Sequence, residues 1–193
     1  MGEKRQARQG ADVLLQEEPL RFQTRKQVGL LGGNFNPVHL AHLVMADQVQ
    51  NQLGLDKVYL MPTYLPPHVD EKKTISSEHR LAMLELAVSD NPCLDIEPIE
   101  LIRKGKSYTY DTMKALKEAN PDTDYYFIIG GDMVEYLPKW HRIDELLHLV
   151  QFVGIRRPNY PTESTYPIIW VDVPQMAISS TLRSEEHTSE LQS

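Results

Sequence analysis

Two histidines three residues apart, His39 and His42, follow directly on the run Gly32-Gly33-Asn34-Phe35-Asn36-Pro37. That spacing puts both imidazoles on one face of the first turn of a helix. A glycine pair leaves the backbone open to a ligand, because no Cβ stands in the way. The free N–H groups and the dipole at a helix N-terminus attract anions. A glycine pair alone is common in α/β proteins, and a histidine pair alone is more often structural than functional. Together they read as a phosphate cradle with two imidazoles at its mouth. The phosphate loop GxxxxGK followed by Ser or Thr is absent, and so is GxGxxG, which argues against those two nucleotide-binding designs.

Further along the chain, other residues carry chemistry with less weight. Gly130-Gly131-Asp132 ends the apolar run Tyr125–Ile129, and an acid at the C-terminal edge of a strand can bind ribose hydroxyls. The proline-stiffened stretch Pro62 to His68 cannot be helix, and His68, Lys72 and Lys73 lie on or just after it. Lys73 reads as a solvated charge. Ser107, Tyr108 and Thr109 precede a helical pattern, where small hydroxyls are plain caps as often as ligand groups. Trp140 lacks periodic apolar neighbours, so a stacking role competes with a core role. The lone cysteine, Cys93, reads as buried filler.

These residues need elements to hold them. Val28-Gly29-Leu30-Leu31 has the length of a buried parallel strand. Leu43, Ala46, Val49 and Leu53 fall at helical spacing and end at Gly54, a natural helix stop. Lys57–Met61, Leu94–Ile99, Asp124–Ile129, Val150–Ile155 and Ile168–Val173 are predicted strands. Helices are predicted over Ser76–Asp90, with Leu81, Leu84 and Val88 inward, then through Met113, Leu116 and Ala119, and over Ile143–Leu149. Strands alternating with helices mean a doubly wound, mostly parallel α/β sheet.

At 193 residues the chain is one domain by length, able to bury roughly 70% of its unfolded surface. A net charge of −7 disfavours a non-specific nucleic-acid binder. One cysteine excludes an internal disulfide, and with no secretory signal or long apolar span the expectation is a cytoplasmic protein, not a membrane one. A homo-oligomer is left open, since the sequence does not give the oligomeric state. Residues 1–26 are polar and mixed in charge and read as a disordered or loosely docked extension to a domain spanning 27–182.

Taken together, GGNFNPVHLAH (Gly32 to His42), LPPH, SYTYDT, IIGGD, Trp140, RRPNY and ISST occur in an order that resembles the bacterial nicotinate-mononucleotide adenylyltransferases of the HxGH nucleotidyltransferase superfamily. Ala41 stands where that family usually has glycine. The resemblance runs from about Lys26 to Leu182 and implies a Rossmann-like nucleotidyltransferase fold that transfers AMP from ATP to nicotinate mononucleotide. It implies that Gly32, Gly33, Asn34, Phe35, His39, His42, Gly130, Asp132, Arg157 (or Arg156 beside it), Ile178, Ser179 and Ser180 serve ATP. Tyr108, Thr109, Trp140, His68 and Lys72 would serve the mononucleotide. Mg²⁺ would arrive on the ATP phosphates, with no metal ligands from the protein. The substrate phosphate is already a nucleophile, so positioning and charge stabilisation suffice and no general base is required.

Two rival readings stand beside this one. A related transferase acting on phosphopantetheine or an alcohol phosphate would have less use for SYT and Trp140. A non-catalytic nucleotide sensor would have less use for His39 and His42. The end of the chain departs from the family pattern, because Leu182 is followed directly by Arg183 and no amphipathic helix ensues. RSEEHTSELQS, residues 183–193, is what a common sequencing adapter encodes when translated in frame. The expectation is therefore a non-native tail and a missing final helix.

Overall fold

The computed structural model describes residues 25–65, 75–157, 160, 162–174, 176 and 178–180. Residues 1–24 of the expected extension over 1–26, the loop carrying His68 and Lys72, and the tail over 183–193 lie outside them. The last two residues of that extension belong to the domain instead, Lys26 pairing with Thr123 in the sheet and Arg25 donating to Asp124 at 2.9 Å. In chain order the elements are β1 (Lys26–Gly33), α1 (Leu40–Leu53), β2 (Lys57–Pro62), α2 (Ser77–Val88), β3 (Leu94–Ile96), α3 (Ile99–Arg103), α4 (Thr109–Ala119), β4 (Thr123–Gly130), α5 (Gly131–Val134), α6 (Ile143–Leu146), β5 (Val150–Ile155) and β6 (Ile168–Val171). A 3-10 turn, Leu137–Lys139, leads to Trp140.

The strands form one sheet in the order β3-β2-β1-β4-β5-β6, and every neighbouring pair is parallel. The order reverses between β1 and β4, so their C-terminal ends diverge and open a crevice where α/β proteins bind ligands. Successive strand residues point to opposite faces. Leu30, Phe127, Ile129 and Phe152 pack with Tyr110, Met113 and Leu116 of α4 and with Ile143 and Leu146 of α6. Leu31, Leu60, Ile128 and Val153 pack with Ala46 and Val49 of α1 and with Leu84 of α2. Each fully buried aliphatic or aromatic side chain contributes roughly 1.5–3 kcal/mol, so the two layers clamp the crevice rigidly.

Helix α1 ends as the sequence leads one to expect, with Gly54 left-handed at φ 62°. Ser76 caps α2 by accepting a hydrogen bond from the His79 N–H. Several elements differ from expectation. The run Leu94 to Ile99 is strand only to Ile96; Pro98 ends it, and Ile99 opens α3 instead. Helix α6 stops at Leu146, three residues early, because β5 must begin at Val150. In α2 the buried residues are Arg80 and Leu84, whereas Leu81 and Val88, expected inward with Leu84, are only half-buried. An arginine occupies a position that apolar periodicity cannot flag. Cys93 is half-buried and free.

Candidate active site

The crevice is a cleft of about 520 Å³ whose floor is apolar, formed by Leu31, Met61, Phe127, Ile128, Ile129 and Ile155. Its rim brings together Gly32, Gly33, Asn34 and His42 from the β1–α1 side, Gly130, Asp132 and Arg157 from the β4 and β5 ends, and Tyr108, Thr109 and Trp140 opposite. Residues drawn from five separated sequence segments thus meet at one sheet edge.

Gly32 and Gly33 both lie inside β1. The sharp turn falls two residues later, at Phe35, whose φ is +46° although it is not glycine. Gly33 lacks a side chain for a local reason as well: a Cβ there would sit 3.0 Å from the Phe35 ring. Phe35 is buried and meets His42 edge-on, with ring centroids 5.0 Å apart. It therefore reaches the cleft through His42, not directly.

His39 is the N-cap of α1, and its ring stacks on His42 with centroids 3.7 Å apart and planes 24° apart. The His39 backbone N–H donates to Nδ1 of His42 at 3.2 Å. A nitrogen that accepts cannot also carry a proton, so the neutral ring of His42 bears its hydrogen on Nε2. Burial first, and the neighbouring His39 second, hold the His42 pKa down to about 3. Near neutral pH, His42 is an uncharged donor. Ser180 closes the same corner: its hydroxyl donates to the Pro37 carbonyl at 2.9 Å, which brings the Ile178–Ser180 segment beside the cradle.

On the far side, Asp132 and Arg157 form an ion pair at 3.5 Å. Trp140 is half-buried, packed edge-to-face on Phe127 and Phe152 with centroids 5.9 Å from each, and still lines the cleft. Its role in the core and its place at the cleft coexist. Tyr108 leans on His141 at 4.8 Å.

Several cleft residues were not singled out from the sequence. Glu100, Thr63 and His141 line the cleft, beside Ser107, whose hydroxyl the sequence did raise. Glu100 is buried and accepts from the Thr112 hydroxyl at 3.0 Å; burial raises its pKa despite that bond and a second donor in Ser107. Thr63 binds the Gly33 carbonyl through both its N–H (2.9 Å) and its hydroxyl (3.0 Å), and the Tyr64 N–H donates to Ser107 at 3.1 Å. A chain of hydrogen bonds therefore ties β1 through β2 to the approach of α4. The sequence carried no signal for Glu100, which sits in an unremarked apolar run.

Among the described residues no group of three or more His, Cys, Asp or Glu could hold a metal ion, and no helix is long and apolar enough to cross a membrane.

Comparison with known proteins agrees with this geometry. The cytidylyltransferase-like family model matches residues 30–185. The chain is 99% identical over 182 residues to the "Probable nicotinate-nucleotide adenylyltransferase" of Enterococcus faecalis, covering 94% of this chain and 83% of that protein. It is 67% identical over 166 residues to the protein of the same name from Streptococcus pneumoniae serotype 4, covering 86% and 79%. Among solved structures, the nicotinic acid mononucleotide adenylyltransferase of Plasmodium falciparum complexed with NaAD superposes with a TM-score of 0.69 at 19% identity, over 83% of each chain. That likeness concerns the fold.

Proposed function

The chain belongs to the cytidylyltransferase-like family, among its nicotinate-nucleotide adenylyltransferases, and from that premise we propose how its residues transfer AMP from ATP to nicotinate mononucleotide. The reaction yields nicotinate adenine dinucleotide and pyrophosphate, a step of NAD biosynthesis. The observation that carries the assignment of roles is His42 on the edge of a cleft that runs to Thr109 and Trp140, with His39 buried and stacked against it at the start of α1.

On this reading the triphosphate lies at Gly32–Phe35 and the N-terminus of α1, with Ile178, Ser179 and Ser180 alongside. The adenosine lies toward Gly130, Asp132 and Arg157. The mononucleotide enters from Tyr108, Thr109 and Trp140, which sets its 5′-phosphate opposite the departing pyrophosphate. His42 donates from Nε2 to phosphate oxygens whose charge grows as the Pα–O bond breaks. His39 holds that ring in its donor tautomer and orientation. A low-dielectric apolar floor makes such a donor count for more than it would in bulk solvent.

The nicotinate carboxylate is received at the first turn of α4, an 11-residue helix whose free N–H groups favour an anion. Trp140 offers its ring to the pyridine. His68 and Lys72 are proposed at the mononucleotide side from the family pattern. The hard divalent ion we propose is Mg²⁺, which would arrive with ATP and neutralise charge developing on the phosphates. We place the reaction in the cytoplasm, in keeping with a chain that has a single cysteine.

Pyrophosphate release from ATP with nicotinate mononucleotide, nicotinamide mononucleotide and phosphopantetheine, assayed side by side, tests the reading. The acid substrate should exceed its amide at least tenfold in kcat/KM, because an amide NH₂ facing N–H donors leaves them unpaired. Equal values for acid and amide, or turnover of phosphopantetheine, would contradict it.

A further inference from the structure

The α2 arginine that breaks the apolar pattern lies directly behind the phosphate cradle. Arg80 is 2% exposed. One of its terminal nitrogens, Nη1, donates to the Asn34 carbonyl at 2.8 Å, to the Asn34 side-chain oxygen at 3.2 Å and to the Thr63 carbonyl at 2.8 Å. Asn34 and Thr63 both line the cleft. Among the described residues no carboxylate lies within ion-pairing distance of Arg80. A buried cation answered only by carbonyls and an amide is costly unless an anion comes to it.

Two consequences follow for the cradle. In a trans peptide the carbonyl and the next N–H point in opposite directions. Drawing the Asn34 carbonyl back onto Arg80 therefore turns the Phe35 N–H to the other side of the turn, away from α2. The same bonds hold the left-handed backbone at Phe35, a conformation a bulky residue rarely adopts. The second consequence is electrostatic. The chain is acidic overall, at −7, and the described cleft offers one arginine, Arg157, already paired with Asp132. Arg80 is then a full positive charge one peptide behind the turn, screened by protein and not by water.

We propose that Arg80 is the fixed cation of the triphosphate site, a positioning residue that orients the Asn34–Phe35 peptide and lends its charge to ATP without touching it. The proposal rests on the reading of the Gly32–Phe35 turn as the triphosphate cradle. It makes ATP affinity, not mononucleotide affinity, the property that Arg80 controls.

Arg80→Met and Arg80→Lys separate the charge from the packing. Binding of the α,β-methylene analogue of ATP and of nicotinate mononucleotide is measured by calorimetry at low and high salt, with thermal midpoints recorded. For Arg80→Met the analogue should bind at least tenfold more weakly, with a shallower salt dependence, while mononucleotide affinity stays within about threefold. Arg80→Lys should keep analogue affinity within about fivefold and keep the parent's salt dependence, despite a lower thermal midpoint. A folded Arg80→Met protein that binds the analogue as the parent does, or that loses both ligands alike, would overturn the proposal. Should that variant fail to fold, Arg80→Lys decides alone: a tenfold loss of analogue affinity with the charge retained would overturn it equally. Turnover of the parent with both substrates is recorded in the same series. Its absence would count against the proposed reaction, while the calorimetry would still decide the role of Arg80.

Discussion

On the proposed mechanism His42 works as a neutral donor, and that state has measurable signatures. Removing one donor aimed at developing charge typically costs about 2.7–4 kcal/mol of barrier. His42→Ala should therefore lower kcat roughly 10²–10³-fold while ATP affinity stays within a few-fold and the far-UV spectrum is unchanged. Steady-state kinetics with activity within tenfold of the parent would remove the histidine from the chemistry. The second signature is in stability. Folded His42 has a pKa of about 3, against 6.5 for a free imidazole, so between those values the unfolded chain binds more protons. The contribution of His42 is thus complete above pH 6.5 and is lost as pH falls toward 3, by at most about 1.4 kcal/mol per pH unit. Glu100, whose pKa burial raises, titrates with the opposite sign. Comparing parent with His42→Asn isolates the histidine: denaturant unfolding at pH 7 and pH 5 should show the parent losing more stability than the variant.

Elements, more than single residues, hold the two ends of the cleft in register. The α3–α4 junction is clasped by Thr112, fully buried, whose hydroxyl donates to Glu100 and lies 3.2 Å from the Arg103 guanidinium. Thr112→Val keeps the shape and removes that hydroxyl, leaving a buried carboxylate oxygen short of a partner. Unfolding measurements should show a loss of about 1–3 kcal/mol. If α4 presents its first turn to the mononucleotide as proposed, KM for nicotinate mononucleotide should rise several-fold with KM for ATP little changed; equal rises would argue against the division of the cleft. How much of this was legible follows from the kind of signal each element carries. β1, β4 and β5 were legible because apolar runs fix parallel strands locally, and α1 because its stripe ends at Gly54. α3 was not, since Pro98 cuts an apolar run whose second half turns helical only in tertiary context. Arg80 and Glu100 escaped because a buried charge looks, in sequence, like a solvated one. Their partners, Asn34 and Thr112, are 46 and 12 residues away.

The whole molecule is one parallel sheet whose strand order reverses beside β1, which places the cradle, the Asp132–Arg157 pair and the first turn of α4 around a single cleft. That arrangement fits two phosphate-bearing substrates laid end to end, and it was legible in part from the motifs, because Gly32–His42 and Ile128–Asp132 fall at the C-terminal ends of β1 and β4. It also explains why no protein nucleophile is needed: the mononucleotide phosphate attacks and pyrophosphate leaves on the opposite side. The central claim is therefore a single in-line displacement at the α-phosphorus, and its stereochemistry is the most direct measure of it. With ATP carrying a chiral thiophosphate at the α position, the dinucleotide product should form with inversion at phosphorus. Retention would require two displacements through an adenylylated protein and would contradict the account.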